Sequence, residues 1–238
     1  MMILLLKKRN LLTGGLLCCF FIAFAAVLWR GNSVSVPAFG GGRGEPVLVI
    51  IDPGHGGEDG GAVSTDGAVK ESGLNLSIAL RVEDLMRFLG QATAMTRRED
   101  VSIHSPESRT AREKKVSDLH NRVALVNSRE GALLLSIHQN SLPSSTVTHG
   151  AQVFWNRKEG AEELAQSVQD ALNIAVNAKN EKKTKSIPAT IYLMKNINVP
   201  GILVECGFLS NKEETALLQQ PDYQVRLATA ITAGCLAS

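Results

Sequence analysis

Three side chains that can bind a metal or move protons each follow a short apolar run, at widely separated places in the chain. These side chains are His55, His138 and Glu205. The runs before them are residues 47–51, 132–137 and 202–204. Apolar, β-branched runs of this length predict buried strands. Because ligands of open α/β sheets bind outside the carboxyl ends of the strands, we expect the three side chains to share one edge of the sheet if the strands are neighbours.

Two imidazoles and a carboxylate form the ligand set of a catalytic zinc, which keeps a fourth position for water. The loop after the first strand offers further carboxylates, namely Glu58, Asp59, Asp66 and Glu71. The chain has no HExxH motif, so such a site must be assembled from separate strands. The other histidines, His104, His120 and His149, fall in a loop, on a predicted helix and before a strand, and we interpret them as non-catalytic.

Predicted strands and helices alternate through residues 47–238. Further strands are predicted at 92–96 and 151–155, and helices at 74–89, 119–126, 162–176, 212–218 and 223–236. Ser72 is the predicted cap of the first helix, and residues 97–115 are predicted to be a surface loop. This alternation predicts one α/β domain, in which a mostly parallel, twisted sheet is covered by helices on both faces.

The sequence predicts a transmembrane signal-anchor at residues 1–30. Three basic residues, Lys7, Lys8 and Arg9, precede the uncharged run 11–29, which is close to the ~20 residues that span a bilayer as a helix. Positive charge before the run predicts export of everything after it, so the domain should be extracytoplasmic, in the cell envelope, or secreted if the segment is cleaved. Residues 31–46 read as a flexible, glycine-rich linker, and the domain covers 47–238.

Composition excludes some function classes. The formal net charge is +2 and aromatic residues make up 5% of the chain, without interleaved Lys and Arg, so no nucleic-acid partner is expected. Outside the apolar N-terminal run the cysteines are Cys206 and Cys235. Two cysteines do not make a disulfide framework, and the sequence leaves open whether they are bridged or free.

Four motifs, in order, carry a family resemblance. They are Asp52-Pro53-Gly54-His55-Gly56-Gly57, a glutamate in the next loop, Ser136-Ile137-His138-Gln139-Asn140, and Val204-Glu205-Cys206-Gly207-Phe208-Leu209-Ser210-Asn211. Together they resemble the zinc-dependent N-acetylmuramoyl-L-alanine amidases, over essentially all of residues 47–236. A narrower similarity, in residues 141–145 and 191–196, is to the germination-specific amidases of spore-forming bacteria, which act on spore-cortex peptidoglycan.

The resemblance implies one zinc ion per chain, held by His55, Glu71 and His138, with Glu205 as the catalytic carboxylate. Since the family commonly has Glu-Lys where this chain has Glu71-Ser72, Glu58 is the alternative third ligand. The implied reaction hydrolyses the amide bond between the lactyl group of N-acetylmuramic acid and L-alanine of the stem peptide. Implied partners are peptidoglycan and, through the N-terminal helix, the membrane, and an activator protein is left open.

Other assignments stay open at the level of sequence. Asn140 either orients a ligand or substrate or only shapes a turn. Cys206 with a nearby histidine would make a thiol-dependent wall hydrolase, and a third alternative is a non-catalytic peptidoglycan-binding module that uses the same cleft. The glycines at 54, 56 and 57 are predicted to let the turn fold tightly and to leave room for a glycan beside the metal.

Overall fold

The structure is a computed structural model that describes residues 47–238. The predicted anchor and linker, residues 1–46, lie outside the described residues. Among the helices of residues 47–238, none is long and apolar enough to cross a membrane.

Strands and helices alternate through the described residues. The strands are β1 (Val49–Pro53), β2 (Thr93–Met95), β3 (Leu133–Asn140), β4 (Gln152–Trp155), β5 (Lys185–Ser186) and β6 (Gly201–Phe208). The helices are α1 (Glu71–Phe88), α2 (Ala111–Asn127), α3 (Ala161–Ala175), α4 (Tyr192–Asn196), α5 (Lys212–Leu218) and α6 (Pro221–Leu236). The predicted elements therefore recur in the predicted order, with the short β5 and α4 added before β6.

One sheet contains the strands in the order β2-β1-β3-β6-β4-β5. β2, β1, β3 and β6 pair in parallel, whereas β4 runs antiparallel to β6 and β5 is parallel to β4. The sheet is mixed, and the single α/β domain is confirmed. Three neighbouring parallel strands, β1, β3 and β6, carry the sequence motifs, which is the adjacency that a shared site requires.

Helices cover both faces of the sheet because the strands are apolar on both sides. Ile50 and Ile51 are both fully buried, and they belong to different cores. The core that contains Ile51 packs α1, α3 and α6 against one face, and the core that contains Ile50 packs α2 and α4 against the other. A strand residue and its successor therefore point into different layers, which decides which side chains can reach the site.

Two helix starts differ from the sequence prediction. α1 begins at Glu71, its N-cap Lys70 makes no side-chain cap, and Ser72 lies inside the first turn, so the prediction of Ser72 as the cap was wrong. α2 begins at Ala111, so the loop predicted over 97–115 ends sooner. Thr110 starts this helix with a capping box, in which its hydroxyl accepts from the Glu113 N–H (3.2 Å) and its own N–H donates to the Glu113 carboxylate (3.1 Å).

Candidate metal and catalytic site

Strand register brings the predicted side chains to one place. His138 on β3 is paired with Glu205 on β6, and Pro53, the last residue of β1, is paired with Ile137. The sequence predicted His138 and Glu205 at the ends of their strands. In the structure both β3 and β6 continue past these residues, which therefore lie within the strands. The β3–β6 register shifts just after His138, which marks an irregularity in the ladder beside the site.

His55, Glu71 and His138 form a compact group of potential metal ligands. One ligand atom from each lies within 4.8 Å of the others. Nδ1 of His138 is 2.9 Å from Oε1 of Glu71, and Nε2 of His55 is 3.4 Å from Oε2. The two imidazole rings meet edge to face, with centroids 5.1 Å apart. Two imidazole nitrogens and a carboxylate at this spacing fit a zinc ion.

Glu71 reaches the site because it opens α1, and its carboxylate is held from several sides. Oε2 accepts from the backbone N–H of Ala62 (2.7 Å), and Oε1 accepts from the Gln139 N–H (3.1 Å) and from Asn75 Nδ2 (3.1 Å). The alternative ligand Glu58 is exposed and pairs with Lys114. The structure therefore places Glu71, and not Glu58, with the two histidines.

Asp59 fixes the orientation of the first imidazole. Its carboxylate accepts a hydrogen bond from Nδ1 of His55 (2.9 Å), which leaves Nε2 facing Glu71. A metal-binding histidine commonly donates its other ring N–H to a carboxylate in this way. Asp59 was one of the acidic candidates in the sequence, and the structure gives it a position behind a ligand.

Electrostatics of the group favour a cation between the ligands. Burial disfavours the charged form of Glu71, but hydrogen bonds and charge from His138 and His55 outweigh it and lower its pKa far below the usual range. Burial lowers the pKa of His55, yet hydrogen bonds to Asp59 and Glu71 reverse the shift and raise it to about 9. The carboxylates thus stabilise positive charge at this point of the cleft.

Glu205 lies next to the ligand group, at the β6 position paired with His138. Its Oε2 is buried and has no hydrogen-bond partner within residues 47–238. Burial raises the pKa of Glu205 to about 7; the charge of Glu71 adds to the rise, and the two histidines oppose it. This oxygen is therefore available to a water molecule or a substrate in the cleft, which Glu205 lines.

The cleft over these residues has a volume of about 380 Å³. The ligand group and Glu205 line its floor, and residues 190–194 form an apolar and aromatic wall. In that wall the Tyr192 ring lies 5.2 Å from the His120 ring. A cleft that combines apolar surface with a few convergent polar groups is typical of a substrate-binding site.

Comparison with known proteins decides the family. The family model described as N-acetylmuramoyl-L-alanine amidase matches residues 49–237. This chain belongs to the N-acetylmuramoyl-L-alanine amidase family. Among the relatives, the germination-specific N-acetylmuramoyl-L-alanine amidase of Bacillus subtilis is 38% identical over 190 residues, which are 79% of this chain and 78% of that protein. The resemblance inferred from the motifs is confirmed.

Solved structures agree with this assignment. The CwlD amidase from Clostridioides difficile, solved in complex with the GerS lipoprotein, superimposes with a TM-score of 0.75 at 35% identity, over 79% of this chain and 95% of that one. An N-acetylmuramoyl-L-alanine amidase from Clostridium difficile 630 gives a TM-score of 0.70 at 29% identity, over 81% and 96%. The amidase is therefore an enzyme of peptidoglycan amide hydrolysis.

The remaining histidines of the amidase stay outside the ligand group. His104 Nδ1 is 2.9 Å from the Ser102 hydroxyl, and His149 Nδ1 is 3.0 Å from the Val147 carbonyl. His120 packs on Tyr192 in the cleft wall. None of the three is near enough to His55 and His138 to join the candidate metal group.

Asn140 makes contacts typical of a turn. Its side-chain oxygen accepts from the Ser141 N–H (2.8 Å), and its carbonyl accepts from the Leu209 N–H (2.8 Å). The first bond is local to the turn, and the second joins the ends of β3 and β6 beyond the site. Of the two roles considered for Asn140, the geometry supports the structural one.

Cys206 faces away from the cleft of the amidase. It is fully buried in the core on the opposite side of β6 from Glu205, and its thiol contacts the Val204 carbonyl at 3.9 Å. Burial raises the pKa of the thiol far above its usual range, and the charge of Glu205 adds to the rise. Both Cys206 and Cys235 are free. A thiol that stays protonated in the core is not a nucleophile for a wall substrate.

Space beside the turn glycines is filled by the protein itself. A Cβ on Gly54 would lie 2.2 Å from the His138 ring, and one on Gly56 would lie 2.4 Å from the Val101 carbonyl. A Cβ on Gly57 would be 3.0 Å from the Ser102 nitrogen. The expectation that these glycines leave room for a glycan was wrong; they let other parts of the chain pack against the turn.

Two buried arginines near the site had no role in the sequence analysis. Arg97 and Arg122 occur in segments that resemble the family, but their contacts with the turn after β1 are visible only in the structure. A signal was present for Arg122, which follows Leu119 by three residues and therefore shares the apolar face of α2. A charged residue on a buried helical face requires buried partners.

Proposed function

We propose that this chain is a zinc-dependent N-acetylmuramoyl-L-alanine amidase of the cell envelope, which cuts the bond between the lactyl group of muramic acid and L-alanine. His55, Glu71 and His138 would hold one zinc ion, and Glu205 would move the proton. One observation carries the proposal: the three ligand atoms lie within 4.8 Å of one another beside a buried, unpartnered Glu205 oxygen.

Zinc bound at this point would polarise the scissile carbonyl and lower the pKa of a water molecule to about 7. The protein supports this chemistry by holding each ligand through a further contact. Asp59 fixes the His55 ring, and backbone N–H groups of Ala62 and Gln139 fix the Glu71 carboxylate. Contacts of this kind orient the ligands before a metal binds.

Glu205 is the group that accepts the proton of the attacking water and delivers it to the nitrogen of L-alanine as the amide bond breaks. Its pKa of about 7, raised by burial, suits both directions of transfer near neutral pH. Its unpartnered Oε2 is available for this exchange because no side chain in residues 47–238 donates to it.

The test compares the wild-type enzyme with a variant of the Glu205 carboxylate. We expect the wild-type protein to release stem peptides with a free L-alanine amino group from peptidoglycan. This activity should be lost when a chelator removes the metal and should return when zinc is added. Glu205→Gln should keep one zinc per chain yet lose about 10²–10⁴-fold in turnover. Product mass spectrometry and metal analysis provide the readouts, and full turnover by Glu205→Gln would contradict the mechanism.

A matched pair separates the ligand from its alternative. Glu71→Gln should lose zinc, whereas Glu58→Gln should retain zinc and activity, because Glu58 is exposed and paired with Lys114. Retention of zinc by Glu71→Gln would reassign the third ligand. Binding of peptidoglycan by the wild type with no turnover at any zinc concentration would favour the non-catalytic binding module.

We also propose a role in modification of the spore cortex during germination. The 38% identity with a germination-specific amidase supports it. Deletion of the gene in its spore-forming host should leave cortex muramic acid substituted with peptide, which mass spectrometry of digested cortex would show. An unchanged cortex with altered vegetative wall would point to general wall turnover.

For the cellular setting, we propose that residues 1–30 form the signal-anchor, that 31–46 form the linker, and that the domain 47–238 works outside the membrane. A lipoprotein is the proposed partner class, since the related CwlD amidase was solved in complex with the GerS lipoprotein. Fractionation with protease protection tests the first point. Turnover with and without a lipoprotein from the same host tests the second.

A further inference from the structure

The turn that carries His55 has an unusual backbone. His55 has a φ of 61°, in the left-handed region, although it is not glycine. This conformation is disfavoured for a residue with a Cβ, and it persists only where surrounding contacts enforce it. Because His55 is also a candidate metal ligand, the contacts that enforce this conformation also determine where its imidazole lies.

Two guanidinium groups bind three consecutive carbonyls of this turn. The Pro53 carbonyl accepts from Arg97 Nε and from Arg122 Nη1, both at 3.0 Å. The Gly54 carbonyl accepts from Arg97 Nη2 (3.0 Å), and the His55 carbonyl accepts from Arg122 Nη2 (2.8 Å). The backbone of the turn is thus fixed at each residue up to the ligand.

The guanidinium of Arg122 is itself immobilised. It is 2% exposed and pairs with Asp52 (2.5 Å) and Asp118 (2.6 Å). Because Asp52 is on β1 and Asp118 is on α2, the group ties the turn to two elements at once. A planar guanidinium can donate hydrogen bonds to both carboxylates and to two carbonyls at the same time, which a single ammonium cannot.

Arg97 is held by backbone carbonyls. Its side chain is fully buried and also donates to the carbonyls of Glu99 (2.8 Å) and Ser72 (2.9 Å). Ser72 follows Glu71 in the first turn of α1. Arg97 therefore connects the backbone beside one candidate ligand, Glu71, with the backbone beside another, His55.

We propose that Arg97 and Arg122 are positioning residues of the metal site, which set the left-handed turn and so the distance from the His55 imidazole to Glu71 and His138. The inference rests on the proposed zinc function. A buried arginine that served only the fold would not need to donate to the ligand's own carbonyl, as Arg122 does.

The test measures zinc affinity and folding separately in the full-length protein. Arg122→Lys keeps the charge but not the fork of donors. We expect its zinc affinity, measured by competition with a chelator, to fall about 10–100-fold, while the metal-free protein still unfolds cooperatively. The visible absorption of the cobalt-substituted variant should also change, since those bands report ligand geometry.

Val168→Ala is the matched control. Val168 is a fully buried residue of α3, and its backbone packs closely against Gly234 of α6, away from the turn. This variant should be less stable and yet bind zinc with wild-type affinity and an unchanged cobalt spectrum. If its zinc affinity falls as far as that of Arg122→Lys for the same loss of stability, the effect is general and the proposal fails.

Arg97→Lys carries the same test if Arg122→Lys does not fold. Wild-type affinity and spectrum in a folded variant overturn the proposal, and so does failure of both variants to fold, because the arginines would then serve the fold. His55→Ala separates the two hypotheses. If wild type and His55→Ala bind zinc equally, the proposed function is wrong, whatever the arginine variants do.

Discussion

Gly54 is the residue on which the placement of His138 depends. A Cβ at Gly54 would lie 2.2 Å from two atoms of the imidazole and 2.7 Å from Nδ1. Gly54 is not among the residues with positive φ, so this crowding, and not backbone strain, makes glycine necessary. A methyl group in place of the Gly54 hydrogen would therefore displace the imidazole of a candidate ligand.

We predict that Gly54→Ala folds but loses at least about tenfold in zinc affinity, because the His138 ring must shift. Isothermal titration calorimetry with zinc would measure this affinity. Gly73→Ala is the control: in α1 a Cβ there meets nothing within 4 Å, and the change should stabilise the protein by about 0.5–1 kcal/mol without altering zinc affinity. Unchanged zinc binding by Gly54→Ala would remove His138 from the ligand set.

Cys206 tests the thiol alternative directly. Since its thiol is buried on the far side of β6, we predict that Cys206→Ala keeps turnover within about twofold, with a modest loss of stability from the small cavity. Turnover on peptidoglycan and thermal unfolding are the two measurements. Abolished turnover in a folded, zinc-loaded variant would revive a thiol mechanism.

At the scale of the element, α2 is the helix that brings Arg122 and Asp118 under the β1 turn. Its start is fixed by the capping box of Thr110 and Glu113, and its far end by the buried Val126. The helix has few buried side chains, so end contacts matter more for it than for α1.

We predict that Thr110→Ala lowers the free energy of unfolding by about 1 kcal/mol, because the Glu113 N–H loses its acceptor. Urea unfolding of the chelated protein would measure it. Thr110→Ser retains the hydroxyl and should remain near wild type. A loss in Thr110→Ser equal to that in Thr110→Ala would mean that the methyl group, and not the cap, matters.

For the whole molecule, a buried ion network links β1, α2 and the β2 end. Asp52 is almost fully buried and accepts from Thr96 (2.7 Å), Ser136 (2.8 Å) and Arg122. Burial raises its pKa, but the charge of Arg122 and these hydrogen bonds prevail and lower the pKa below its ordinary 3.8. The native state therefore binds fewer protons than the unfolded state in acid.

This difference in proton binding fixes the direction in which stability changes with pH. The stabilisation from Asp52 is fully present above the unfolded pKa of 3.8 and is lost as pH falls toward the folded value. We predict that Asp52→Asn is less stable than the wild type at neutral pH. Below about pH 4, the free energy of unfolding of the variant should fall less steeply with decreasing pH than that of the wild type. The two slopes should differ by up to one proton, or about 1.4 kcal/mol per pH unit.

Urea unfolding of both proteins without metal, at several pH values, would test the prediction. Between about pH 6 and 8 the two curves should run parallel, because Asp52 is ionised in both states there. Equal slopes in acid would show that the Asp52 carboxyl titrates alike in the folded and unfolded chain, which would contradict the ion network.

Local sequence determined much of this protein. Alternating apolar runs and helical spacing predicted the single α/β domain, and the ordered motifs predicted the family, because strand and helix periodicity are properties of neighbouring residues. The same motifs named His55, His138 and Glu205 as residues of one edge, and neighbouring β1, β3 and β6 bring them together.

Tertiary structure decided the rest. Glu71 joins the histidines and Glu58 does not, because α1 folds back so that its first turn lies over β3, while the loop carries Glu58 to Lys114. The contacts of Arg122 with the His55 turn span 67 residues or more of sequence. No local pattern encodes such contacts, since they depend on where the packed cores place each helix against the sheet.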